Sequence, residues 1–378
     1  MTGTMFFPAL LPSFQKEWGL NNTEAGLISG IFFAGYAVAS PVLLTMTDRM
    51  DARRIYLPCA FLTALSMALF GFLAEDLWTA AFFRLLAGVG LAGTYMPGLK
   101  ALSDSIAGPG QSRYIVFYTA SYGVGISLSV YLAGVLAPLV GWRLGAGLLA
   151  AGPLAALAIF AAAVPRREAA DAGRGPVVSA ESLKAVLKNR PTVGYILAYG
   201  AHCWELFGYR SWLVAFLVFS LGLHPGASLG LSPQTIATLI LLAGAPASVL
   251  GNELALLWER NKALTLFMTG SGLIGCLIGF AAGLPIYIVV GLAVLYGMTV
   301  LFDSGTLTAG LIAESRPQHR GLTLAVYSCA GFLMAFLAPL AFGAVLDLAG
   351  RGVAAWGFAF AALGIGCASG ALWLRVFR

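Results

Sequence analysis

Apolar runs of about twenty residues, separated by short polar turns, recur along the whole of this 378-residue sequence. A helix rises about 1.5 Å per residue, so such a run crosses roughly 30 Å of hydrocarbon. Twelve runs are readable, at about 1–13, 25–46, 55–74, 77–101, 114–140, 144–164, 192–221, 235–257, 263–283, 286–312, 323–348 and 353–376. The expected fold is therefore all-α and membrane-embedded, with twelve spans. Only 10% of residues are charged, against about 25% in a soluble domain. The first run reaches only roughly 20 Å, so the first helix reads as truncated, either by a start upstream of Met1 or because it is short.

The spans break into two sets of six. Residues 1–164 form the first set, 165–191 a polar linker and 192–378 the second. Within the linker, Ser179-Ala-Glu-Ser-Leu-Lys-Ala-Val-Leu-Lys188 reads as a short amphipathic helix at the membrane surface. With both termini placed in the cytoplasm, seventeen of the twenty-two Lys and Arg fall inside and three outside, leaving Arg84 and Arg210 within spans. That asymmetry satisfies the positive-inside rule and checks the span count. The net charge of +6 is scattered between apolar runs, so no nucleic-acid partner is expected. Five cysteines lie apart within apolar segments, without metal-ligand spacing, and no cofactor is expected. The halves also carry a weak internal echo: Ser103 to Arg113 resembles Leu311 to Arg320, both polar, Pro-containing and ending on Arg.

Charges at membrane depth are the informative residues. An ionisable side chain there costs about 2.5–3.5 kcal/mol on insertion scales, so it faces a cavity or a partner. Ala198-Tyr-Gly-Ala-His-Cys-Trp-Glu-Leu-Phe-Gly-Tyr-Arg210, inside span seven, carries His202, Glu205 and Arg210. At about 100° per residue these and the aromatics Tyr209 and Trp212 occupy one arc of the helix. Arg84 lies in span four, Asp303 in span ten and Glu253 near the inner end of span eight.

Together these features resemble the major facilitator superfamily of secondary transporters, along the whole chain. Asp48-Arg49-Met50-Asp51-Ala52-Arg53-Arg54 is similar to that family's signature between helices two and three, although Leu44 and Asp51 replace its glycines. Arg84 followed by Gly88, Gly90 and Gly93 resembles its helix-four pattern, and Gly141-Trp142-Arg143 its ending after helix five. Ser127-Leu-Ser-Val130 stands where drug/proton antiporters carry a Gly-Pro core. That departure disfavours a drug exporter.

The resemblance implies two six-helix bundles working by alternating access, with helices one, four, seven and ten around a central path. Arg84, His202, Glu205, Arg210 and Asp303 are then the candidates for substrate binding or coupling. Two readings stay open for each: Arg84 binds an anion or braces backbone carbonyls; Glu205 carries a proton or sits in a fixed ion pair; His202 relays or is structural; Arg210 meets substrate or snorkels outward; Asp303 accepts a proton or caps a Gly-loosened helix. Glu205 and Arg210 are about 140° apart on the helix, which argues against a pair between them. Asp48, Arg49, Arg53 and Arg54 are expected to latch a gate, with Glu253 in a corresponding turn. Tyr95, Tyr118, Tyr122, Tyr131, Tyr209 and Trp212 either line a pocket or pack. The expectation is a monomeric inner-membrane symporter or exchanger of a small, polar, anionic solute, driven by protons. An exporter is the alternative, and a polytopic membrane enzyme a weaker one, for which only three scattered histidines and no large loop are present.

Overall fold

A computed structural model describes residues 1–47, 50–106, 111–165, 180–226 and 229–378. Its helices are α1 (Phe6–Ala9), α2 (Leu11–Trp18), α3 (Asn22–Met46), α4 (Ala52–Leu73), α5 (Leu77–Ser105), α6 (Gln111–Leu149), α7 (Ala151–Ala163), α8 (Ala180–Lys188), α9 (Arg190–Gly222), α10 (Pro233–Leu257), α11 (Arg260–Ile278), α12 (Ile286–Thr299), α13 (Ser304–Glu314), α14 (Arg320–Ala349) and α15 (Val353–Val376). Among the described residues, nine helical stretches are long and apolar enough to cross a membrane. One of them, Ser121–Ala163, has 43 residues, about two bilayer thicknesses. It turns at Gly141, whose φ of 80° breaks the helix between spans five and six. A left-handed φ carries no steric penalty in glycine. With the charged α9 and the short pair α1–α2, the twelve expected spans are accounted for. Large apolar side chains such as Val38, Trp78, Leu139 and Leu257 are more than two-thirds exposed, as a lipid-facing surface requires.

Helix starts follow local chemistry. Asn21 and Glu24 form a reciprocal box: the Glu24 amide donates to Asn21 Oδ1 at 2.8 Å, and the Asn21 amide to Glu24 Oε2 at 2.9 Å. Asp76 caps α5 through Thr79, whose hydroxyl and amide hold the carboxyl below the usual carboxylate range. Asp51 caps α4 by accepting from the Arg53 amide.

The described chain divides into two compact units. One comprises Met1–Leu10 and Ile31–Val177, the other Leu11–Gly30 and Val178–Arg378. The division differs from a simple cut at the linker, because α2 and the start of α3 pack with the second half. The switch falls at the break between α1 and α2. Within the second unit, Asp347 near the end of α14 accepts from the Asn22 amide and Nδ2 and from the Thr23 amide and Oγ1, at 2.6–3.1 Å. An acidic side chain at a helix N-terminus complements the dipole and the orphan amides.

In the first unit, α5 is the axis. Gly88 lies against the Phe32 carbonyl of α3, and Gly90 against Cys59 and Thr63 of α4, so close that a Cβ would overlap both. The glycines of the helix-four pattern are therefore contact points for two neighbouring helices. Buried Ser129 of α6 accepts from the Met5 amide at 2.9 Å, so the serine-rich stretch of helix five helps to hold the first segment.

Candidate functional site

Helix α9 begins at Arg190-Pro191, where proline sacrifices no intrahelical hydrogen bond. Asn189 Nδ2 and Thr192 Oγ1 both donate to the Glu314 carbonyl, at 2.9 and 3.2 Å, tying the start of α9 to the end of α13. Further along, the Tyr195 ring occupies the space that a Cβ on Gly310 would take. Further still, His202 Nδ1 lies 2.7 Å from Asp303 Oδ1. Each step forward along α9 is matched by a step back along α13, so the two helices run antiparallel in a fixed register.

Asp303 is available because span ten is broken. The amides of Leu301, Phe302 and Ser304 bond three residues back, to Met298, Thr299 and Leu301, which tightens the chain between α12 and α13. Gly251 of α10 lies against the Phe302 backbone and walls the break in. Asp303 takes the N-cap position of α13, but its carboxyl makes no capping hydrogen bond. Of the two readings left open for Asp303, capping has no side-chain hydrogen bond behind it, and the carboxyl turns to His202 instead. Both side chains are almost fully enclosed, and their approach is oblique, with neither atom in line for a directional hydrogen bond. Tyr199 stacks beside His202 and, at 3.7 Å between centroids, on Tyr327. The Tyr327 hydroxyl lies 3.1 Å from Thr308 Oγ1 of α13, closing an aromatic and hydroxyl ring around the pair.

Glu205, one turn on, is completely buried. Ser271 Oγ of α11 donates to its Oε2 at 3.0 Å, whereas Oε1 has no hydrogen-bond partner. Tyr296 of α12 and Cys367 of α15 flank the same carboxyl. Three helices thus converge on one acid that has a single firm donor. A carboxyl so placed can take up and release a proton, and the His202–Asp303 contact offers a second place for one.

Other expected residues fall differently. Arg210 is 7% exposed and stands 5.8 Å from the Phe207 ring, so it is enclosed by protein rather than snorkelling outward. Tyr209 donates to the Ala293 carbonyl at 2.7 Å and Trp212 to the Pro339 carbonyl at 3.0 Å. Both are buried and bonded to backbone, as packed side chains are, whereas Tyr131 is 43% exposed. The polar arc of α9 is in fact buried on all sides between about residues 198 and 217.

In the first unit, Arg84 Nη1 meets the Thr4 carbonyl at 2.9 Å and the Gly3 carbonyl at 3.4 Å, and its guanidinium lies over the Phe32 ring. This is the bracing arrangement. Tyr118 donates to the Tyr95 carbonyl at 2.8 Å and stacks on its ring. Arg53 donates to the Val164 carbonyl at the end of α7, a basic residue on a helix C-terminus. Arg54 is exposed, as is Glu253 on α10, while Asp48 and Arg49 lie outside the described residues.

Ser271, Tyr296, Cys367, Tyr199 and Tyr327 were not anticipated. Each is uncharged and sits in an apolar span. Only Thr269-Gly-Ser-Gly272, a cluster of small and hydroxylated residues, carries a visible signal.

A family model described as Major Facilitator Superfamily matches residues 1–309. The benzoate transport protein of Acinetobacter baylyi is 28% identical over 146 residues, covering 37% of this chain and 31% of that protein. The niacin transporter NiaP of the same organism is 25% identical over 143 residues, covering 38% and 32%. These matches span about a third of the relatives' own length. Among solved structures, a bacterial homologue of the human lysosomal transporter Spinster, inward-facing and unoccupied, superposes with a TM-score of 0.74 at 15% identity, over 100% of this chain and 92% of that one. The nucleoside transporter NupG does so with a TM-score of 0.74 at 14% identity, over 99% and 94%.

Proposed function

The chain belongs to the Major Facilitator Superfamily, and on that premise we propose that it is a secondary transporter coupling proton movement to uptake or exchange of a small organic anion. The observation that carries this reading is the enclosed carboxyl of Glu205, one helical turn from the His202–Asp303 contact. Two proton-accepting positions lie side by side inside one unit, away from bulk water. Both are carried on α9 and on the broken span ten, so a proton on either alters contacts between helices.

The anionic preference is supported by two buried guanidiniums, Arg84 and Arg210, a planar group whose donors match a carboxylate. It is supported as well by relatives whose names carry benzoate, niacin and gentisate. The division of labour follows the two units. Arg84 belongs to the first, with Arg53 and Arg54 at its helix ends, and the titratable cluster belongs to the second. The protein is read as a monomer in an inner membrane with both termini cytoplasmic, in line with the charge count of its loops.

The deciding experiment reconstitutes the purified protein in liposomes and measures uptake of radiolabelled benzoate, nicotinate and gentisate. An inward proton gradient is either imposed or collapsed with an ionophore. Gradient-dependent accumulation of at least one aromatic carboxylate is expected. Failure to accumulate any of them, or accumulation indifferent to the gradient, overturns the reading.

A further inference from the structure

The second unit carries a basic groove that the transport reading does not use. It lies between α11 and α15, has a volume of about 430 Å³, and is lined by Lys262, Thr265, Leu266, Thr269, Arg375 and Arg378. At the crossing of the two helices, Gly272 meets the Gly364 carbonyl so closely that a Cβ on either would overlap its neighbour. Towards the ends that carry Lys262 and Arg375, longer side chains replace the glycines, and the groove opens there. These are the ends that the loop charges assign to the cytoplasm.

The charges within the groove do not cancel. Among the described residues, Glu259 is the carboxylate paired with its cations, 2.9 Å from Lys262 and 3.6 Å from Arg378. Lys262 and, more weakly, Arg378 hold the Glu259 carboxyl below its ordinary value. Among the described residues Arg375 has no carboxylate partner. A fourth cation, Arg190, donates to the Val376 carbonyl at 3.0 Å beside the same end of α15. The groove thus keeps a surplus of positive charge. Its Thr265 hydroxyl donates to the Asn261 carbonyl, which leaves the hydroxyl's lone pairs open to a donor.

The apolar side is equally specific. From the groove, Leu266, Leu273 and Leu277 continue along the exposed face of α11, each more than half exposed. Leu372 and Ile365 do the same along α15. Their spacing of seven and four to seven residues sets them in a stripe pointing from the basic end towards the membrane interior. A free anion would use the cations and leave the stripe untouched. A membrane-facing basic pocket continuous with an apolar track instead fits a molecule with an anionic head and an acyl chain.

We propose that this groove is a binding site for an anionic phospholipid, its phosphate held by Lys262, Arg375 and Arg378 and one acyl chain laid along Leu266, Leu273 and Leu372. The site is independent of the transported substrate, and its test does not depend on transport.

Detergent-purified, delipidated protein is titrated with phosphatidylglycerol, phosphatidylcholine or inorganic phosphate, and bound lipid is counted by native mass spectrometry. Phosphatidylglycerol is expected to bind at lower concentration than phosphatidylcholine. Arg375→Ala and Lys262→Ala should each weaken its binding about five-fold, the effect of one interfacial cation, whereas Arg351→Ala on the opposite membrane face should leave it unchanged. Leu273→Ser with Leu372→Ser should weaken binding of phosphatidylglycerol without changing any binding of inorganic phosphate. The lipid proposal is overturned by equal binding of both lipids, by unchanged phosphatidylglycerol binding in Arg375→Ala, or by displacement with inorganic phosphate at matched concentration. Melting temperatures of the variants, all at exposed or half-exposed positions, check that the fold is retained.

Discussion

His202 Nδ1 and Asp303 Oδ1 stand 2.7 Å apart across two antiparallel helices, in a contact both side chains make while almost fully buried. The contact depends on length. The Glu314 carbonyl anchors Thr192 at one end of the α9–α13 pair, and the break that starts α13 sets Asp303 level with His202 at the other. If the two side chains support each other, His202→Gln and Asp303→Asn will each lower stability by about 0.5–3 kcal/mol, the common range for a single disruptive substitution. The double variant will lose less than the sum. Thermal unfolding in one detergent gives the cycle, and strict additivity would show that the two residues are not coupled.

The coupling role proposed for Glu205 is tested by separating movement of solute from movement of protons. In liposomes, Glu205→Gln is expected to abolish accumulation driven by a pH gradient while leaving exchange of labelled for unlabelled solute intact. Gln is nearly isosteric and still accepts from Ser271, so the fold is preserved. Accumulation at the wild-type level would remove Glu205 from coupling.

Arg84 reaches both carbonyls through Nη1, at 2.9 and 3.4 Å, from a planar, rigid guanidinium that the shorter lysine amine does not match in shape. Arg84→Ala is expected to cost about 1.5–3 kcal/mol, the range for hydrogen bonds to a charged group. Arg84→Lys keeps the charge, and is expected to impair anion uptake more than Arg53→Lys does. Uptake rates and melting temperatures measured on the same preparations test this, and equal effects on uptake would confine Arg84 to bracing.

Asp76 offers a pH test of helix capping. Its folded carboxyl titrates below its ordinary value of 3.8, held down by the Thr79 hydroxyl and amide. Its contribution is therefore present above that ordinary value and lost as pH falls through the lower folded one. The melting temperature of Asp76→Ala should lie below that of the wild type at neutral pH, and the gap should close on acidification past pH 3.8. A gap that persists unchanged in acid would assign the effect to helix propensity rather than to the carboxylate.

What could be read from the sequence was local or periodic. Apolar run length gave the spans. The pairing of Asn21 with Glu24 needed only three residues, and Gly141 announced its turn beside Trp142-Arg143. The site was legible only as a set of charges. Nothing in the residues around Arg84 indicates that it reaches back eighty positions to Thr4. Asp303 was visible, but the break that aims it at His202 was not, because tightening from four-residue to three-residue bonding leaves no mark on hydropathy. Ser271, Tyr296 and Cys367 were hidden for a simpler reason. An uncharged polar residue in an apolar span looks like packing until the helix carrying Glu205 is placed against it.

The cap that Asp347 places on Asn22 and Thr23 joins residues 325 and 324 positions apart. A ribosome delivers Asp347 some 325 residues after Asn22. The opening of α3 therefore waits through synthesis of that whole stretch before these four hydrogen bonds are available. Non-local contacts of this kind close late and slowly. The second unit is consequently closed by residues made far apart in time, and a nascent chain released before Asp347 emerges leaves those four hydrogen bonds unmade.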